Sequence, residues 1–245
     1  MSENIALAAI FNLALKNHQE NKLDVAQDLY NQVLEIDPNH LGAHNNLGVS
    51  FSSLGQDQKA ISCFEKAIEI NPNYTYAHNA IGILFQKSGK LQKAKECYEK
   101  AIKIDPNYSN AFNNLGAALA ELGESQKAQE CYEKAIKIDP NYANAYNNLG
   151  NLLNEAGEFK KAISCFEKAI EIDPNYTNAQ SNLASVHIKQ LDDIDLALSS
   201  SYKTLTMHQN TFTLNTQDIS LFRLKHDIQQ AEYLSEKSYK IEGVD

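Results

Sequence analysis

Between residues 109 and 142 the apolar positions fall into two runs with helical spacing. Phe112, Leu115, Leu119 and Leu122 recur at steps of three and four, which puts them on one face of a helix. Ala128, Cys131, Tyr132, Ala135, Ile136 and Ile138 form a second such face. Gly123 stands between the runs, and glycine accepts the left-handed conformation found just past a helix end. Asp139-Pro140-Asn141 closes the second run, because proline disfavours a helical residue before it. The pattern predicts two helices joined by a turn, crossing at Gly116, where no side chain holds the backbones apart.

The same pattern recurs along the chain. Pro38, Pro72, Pro106, Pro140 and Pro174 are each 34 residues apart, four in Asp-Pro-Asn and one in Asn71-Pro72-Asn73. Eight of the ten glycines form two further ladders with the same step, Gly48 to Gly150 and Gly55 to Gly157. A period of this length marks a stacked array of one supersecondary unit. The expected fold class is therefore all-α, built from tandem helix-turn-helix repeats.

Residues 143–176 carry Tyr146, Leu149-Gly150, Leu153, Gly157, Ala162, Phe166, Ala169 and Pro174 in that order. This order resembles the tetratricopeptide repeat, and residues 41–74, 75–108 and 109–142 follow it too. The resemblance covers about residues 7–210 and divides them into six repeats, adding 7–40 and a degenerate 177–210. It implies a right-handed superhelical solenoid with a concave groove lined by the first helix of each repeat. The end units depart from the pattern. Residues 7–40 have Ala14 in place of the packing glycine and Asn21 at the turn, while 177–210 lack the turn glycine and the proline. Atypical end units suit an array whose ends face solvent. Residues 211–245 leave the period; Ile219, Phe222, Leu224, Ile228, Ala231 and Leu234 predict an amphipathic capping helix followed by a tail.

Charge narrows the function. The formal net charge is −9 and Arg223 is the only arginine, which argues against nucleic acid and rules out an arginine cluster. Residues 41–176 hold 14 lysines against 16 acids, so the acidity sits at the two ends. The apolar run Ile5 to Leu15 follows Glu3 rather than a cation and is too short to span a bilayer. It is read as a helix of the fold, and the expected location is cytoplasmic, without membrane insertion.

No constellation of catalytic residues emerges. Cys63, Cys97, Cys131 and Cys165 are 34 apart, whereas zinc ligands come in pairs a few residues apart. Packed helices lie roughly 8–10 Å from one another, too far for a disulfide. The cysteines are read as small buried residues with free thiols. His44 and His78 occupy the position of Phe112 and Tyr146 and are read as packing residues; the other histidines show no metal spacing. The glycines are accounted for by turns and packing, leaving no phosphate loop. The sequence calls for no cofactor and no metal, and the chain is not expected to be an enzyme.

Asparagine forms the remaining ladder. Asn12, Asn46, Asn114, Asn148 and Asn182 share one position of the first helices, with Ala80 as the gap, and Asn45, Asn79, Asn113 and Asn147 precede it. An amide has donors and an acceptor, so it can pair with a peptide bond whatever the side chain attached. Amides about 10 Å apart match about three residues of extended chain at roughly 3.3 Å each. The ladder is similar to that in the repeat region of the O-linked N-acetylglucosamine transferase. The other reading is that asparagine merely solvates or caps the helix. The lysines and arginine of the charged clamp in some family members are missing from these positions.

The expected function is a scaffold or adaptor that holds an extended peptide segment of a partner protein in the groove. The alternative is the N-terminal repeat region of a larger enzyme, a glycosyltransferase or 2-oxoglutarate-dependent oxygenase; the segment Leu221 to Asp227, with Tyr233-Leu234, resembles a junction of that kind. Self-association through the imperfect end repeats is a third reading.

Overall fold

A computed structural model describes residues 2–187 and Lys189, with side chains from Ala6 onward. Every regular element among the described residues is a helix. In chain order they are α1 (Ser2–Gln19), α2 (Leu23–Ile36), α3 (Leu41–Ser53), α4 (Asp57–Ile70), α5 (Thr75–Lys87), α6 (Leu91–Ile104), α7 (Ser109–Glu121), α8 (Ser125–Ile138), α9 (Ala143–Glu155) and α10 (Phe159–Ile172). Residues 177–187 are helical as well. The tail residues 211–245, and the Leu221–Asp227 junction within them, lie outside the described residues.

The chain forms two compact units, Met1–Leu152 and Leu153–Asp245. In the first, each helix from α1 to α8 touches the next, and α1 and α5 also reach α3 and α7. The unit is thus a sequential stack of helix pairs. In the second, α10 buries Ala162, Phe166 and Ala169.

Each pair of the first unit closes around an aromatic ring of its second helix. Tyr30, Phe64 and Tyr98 are fully or almost fully buried. A β-carbon on Gly116 would come within 2.7 Å of the Tyr132 ring, and one on Gly82 within 2.5 Å of Tyr98. These helices approach closely because the first helix offers only backbone there. Alanines seal the rest: Ala60, Ala94 and Ala128 have no exposed surface.

The turns follow from the punctuation. Gly123 has φ +79°, and the amides of Gly123 and Glu124 bond the carbonyls of Ala120 and Leu119 at 2.9 and 2.8 Å. This pair of bonds satisfies carbonyls left open at the helix end. In the Asp-Pro-Asn turns the aspartate carboxylate accepts from the backbone N–H of the asparagine two residues on, at 2.9 Å from Asn107 to Asp105 and 3.0 Å from Asn141 to Asp139. Asn71 serves in the same way for Asn73 at 3.1 Å.

Candidate functional site: an asparagine chain on the first helices

The nine asparagines of the ladder do not share one environment. Asn79, Asn113 and Asn147 are buried. Asn45, Asn46, Asn114, Asn148 and Asn182 are partly exposed, and Asn12 is exposed. Two neighbours in sequence sit about 100° apart around a helix. One therefore turns toward the next helix pair and the other toward solvent.

In the first unit the two sets bond to each other across repeats. Asn148 Nδ2 donates to Asn113 Oδ1 at 3.0 Å. Asn113 Nδ2 donates to Asn114 Oδ1 at 3.4 Å, and Asn114 Nδ2 to Asn79 Oδ1 at 3.0 Å. Four amides thus form one directed chain over α9, α7 and α5. Each cross-repeat bond joins residues 35 apart, the repeat plus one.

The chain stops where the sequence has Ala80. By the same offset, Asn45 should accept from position 80, but alanine has no amide. Asn45 Oδ1 is accordingly buried without a partner, while Asn45 Nδ2 donates to Asn46 Oδ1 at 3.0 Å. The face changes character at this gap: α5 presents exposed Tyr76 and Ile83, where α7 has Asn110 and Ala117.

Spare hydrogen-bonding capacity follows from this wiring. Asn114 and Asn148 each commit one N–H to a neighbour and retain the other. Asn46 accepts through its oxygen from Asn45. Among the described residues no bond from Asn46 Nδ2 is present.

Other candidate residues have structural roles. His44 and His78 are half-buried, and their Nε2 atoms bond the Pro38 and Pro72 carbonyls at 2.9 and 3.1 Å. Gln180 does the same to Pro174 at 2.8 Å. These histidines therefore brace the preceding turn rather than fill the core as expected. His40, which has no metal spacing in the sequence, caps α3 by accepting from the Ala43 backbone N–H at 3.0 Å. Burial pushes the thiols of Cys63 and Cys131 up to about 11, so both stay protonated near neutral pH. Burial also raises Tyr30 to about 12, and its hydroxyl lies 3.2 Å from His18 Nδ1. Among the described residues no group of three or more His, Cys, Asp or Glu is placed to hold a metal ion. Among those residues too, no helix is long and apolar enough to cross a membrane.

Family models described as tetratricopeptide repeat match residues 7–40, 42–74, 74–141 and 107–175. Among solved structures, one of MamA is 27% identical with a TM-score of 0.58, covering 67% of this chain and 96% of that one. A structure of YrrB is 22% identical with a TM-score of 0.56, covering 74% and 97%. PilF from Pseudomonas aeruginosa is 19% identical with a TM-score of 0.69, covering 92% and 100%. At such identities the last two likenesses concern the fold alone. No curated protein matches the chain.

Proposed function

We propose that this chain, which belongs to the tetratricopeptide-repeat family, is a scaffold that binds an extended peptide segment of a partner protein along its first helices. The observation that carries this reading is the directed amide chain from Asn148 to Asn79. Its internal bonds fix the side chains before any ligand arrives, which lowers the entropy lost on binding. The unspent N–H groups of Asn114 and Asn148, with the amide of Asn46 and exposed Asn12, then form a row of donors for peptide carbonyls. Backbone recognition of this kind tolerates varied side chains. The fold can carry such a site: YrrB is described as a TPR protein with an unusual peptide-binding site.

The best positions to test are those that do not brace the array. Replacing Asn114 or Asn148 would orphan a buried oxygen on Asn79 or Asn113 and confound folding with binding. Asn12 and Asn46 make no bond to another repeat among the described residues. Peptides selected on the wild-type protein from a random-sequence display library should bind Asn12→Ala/Asn46→Ala more weakly. Two lost hydrogen bonds at about 0.5–1.5 kcal/mol each correspond to a loss of roughly fivefold to over a hundredfold. The loss should persist as salt rises, since no charge is removed. Selected peptides that bind the double variant as tightly as wild type would place recognition away from the asparagines.

A further inference from the structure

Most of the charge in the first unit lies on the second helices, and its balance changes sign along them. α2 carries three acids and no lysine. α4 has two lysines against three acids. α6 has four lysines against two glutamates, and α8 three against two. The reversal owes much to one position of the repeat. It is Glu69 in α4, and becomes Lys103 in α6 and Lys137 in α8.

That exchange removes an ion pair. In α4, Lys66 Nζ lies 2.6 Å from Glu69, and in α10 the equivalent Lys168 and Glu171 are 2.9 Å apart. In α6 and α8 the same two places hold Lys100/Lys103 and Lys134/Lys137, like charges one helical turn apart. By itself such a pair destabilises a helix, although each of these lysines also follows a glutamate by four residues: Glu96, Glu99, Glu130 and Glu133 in turn. All four lysines are exposed. None of them forms an ion pair with a described residue, although Lys134 Nζ lies 5.6 Å from the centre of the Phe112 ring.

A cavity of about 540 Å³ opens beside the first of these pairs, lined by Pro72, Asn73, His78, Lys100, Lys103 and Ile104. Its walls combine two ammonium groups with the apolar surface of Pro72 and Ile104, and His78 is held there by its bond to the Pro72 carbonyl. None of the asparagines of the amide chain lines the cavity.

We propose that Lys100, Lys103, Lys134 and Lys137 form a second docking surface, for an acidic polypeptide segment of a partner protein. Unpaired like charges become favourable once carboxylates lie between them. Lysine suits such a ligand because its ammonium is a compact charge on a flexible stem, able to follow carboxylates that have no fixed geometry. A partner could then use an acidic stretch here and an uncharged extended stretch on the first helices.

The probe is a fluorescein-labelled deca-glutamate peptide, followed by anisotropy on the full chain. Binding is expected at low salt and should weaken as salt rises. Lys100→Gln/Lys103→Gln/Lys134→Gln/Lys137→Gln should weaken it about tenfold or more, the sum of several exposed pairs. Lys16→Gln/Lys22→Gln/Lys59→Gln/Lys66→Gln removes as much charge from α1, the turn after it and α4, and should change binding less than about twofold. Circular dichroism of both variants checks that the helices persist. Equal losses in the two variants would mean diffuse attraction and overturn the proposal, as would no binding at all. Tighter binding of inorganic polyphosphate than of deca-glutamate would assign the patch to phosphate instead. Self-association abolished by the patch variant, with no binding of deca-glutamate, would assign it to a second copy of the chain. Asn12→Ala/Asn46→Ala should leave deca-glutamate binding unchanged, so this surface and the asparagine face stand or fall separately.

Discussion

Asn21 does in the first repeat what glycine does in the others. Its φ is 58°, and the amides of Asn21 and Lys22 bond the carbonyls of His18 and Asn17 at 3.0 and 2.9 Å. Asparagine is among the few side chains that enter the left-handed region readily, so its place in the period already announced the turn. The asparagine ladder was legible in the same way, but its wiring was not. Adjacent asparagines look alike in a sequence, and only the packing of neighbouring helices shows that Asn79 is buried while Asn114 reaches over to it. The gap at Ala80 gives a direct test. Ala80→Asn should extend the amide chain to Asn45 Oδ1 and end that atom's burial without a partner. Relief of an unsatisfied buried acceptor is worth about 1–3 kcal/mol, against a helix-propensity cost of roughly 0.6 kcal/mol relative to alanine. Chemical denaturation should show a net gain of about 1 kcal/mol, and Asn114→Ala a loss of about 1–3 kcal/mol. A stability decrease for Ala80→Asn would mean that the offset between repeats is not what sets the bond.

At the scale of the helix pair, sequence and structure agree most closely where small residues meet rings. Gly116 marks the crossing because the Tyr132 ring occupies the space a β-carbon would need. Ala14, fully buried opposite Tyr30, shows that the α1–α2 pair accommodates one extra methyl. What the sequence could not show is how the aromatic hydroxyls are satisfied. Tyr98 donates to Gln86 Oε1 at 2.8 Å, and His18 meets Tyr30 at the corresponding place, yet neither partner belongs to the repeat signature. The assignment of faces predicts unequal responses to enlargement. Ala128 has no exposed surface, whereas Ala120 on α7 is partly open. Ala128→Leu should overpack its contact at a cost of about 1–3 kcal/mol. Ala120→Leu should stay within about 0.5 kcal/mol, as for ordinary surface changes. Equal shifts in melting temperature for the two variants would contradict the assignment.

Across the first unit, helices touch mainly their nearest neighbours in sequence, so stability should accumulate repeat by repeat rather than through one shared core. The junctions are not equal. Between α4 and α5 a buried apolar cluster spans the junction, with Ile61 and Phe64 on one side and Ile81 and Leu84 on the other. This junction is also where Ala80 breaks the amide chain and leaves Asn45 Oδ1 alone. On the far side, the amides of Asn79, Asn113, Asn114 and Asn148 tie α5, α7 and α9 together. The array across this junction is therefore held by apolar packing without the amide link, and it should open there first. Native-state hydrogen exchange should find α1–α4 and α5–α8 behaving as separate cooperative blocks, with the slowest amides in α5–α8. Ala80→Asn should slow exchange in α3 and α4 by bridging the gap. Asn114→Ala should speed it in α5 and α7 together while leaving α2 unchanged. Uniform protection from α1 to α8, unaffected by either substitution, would show that the amide chain ornaments the helices without coupling them.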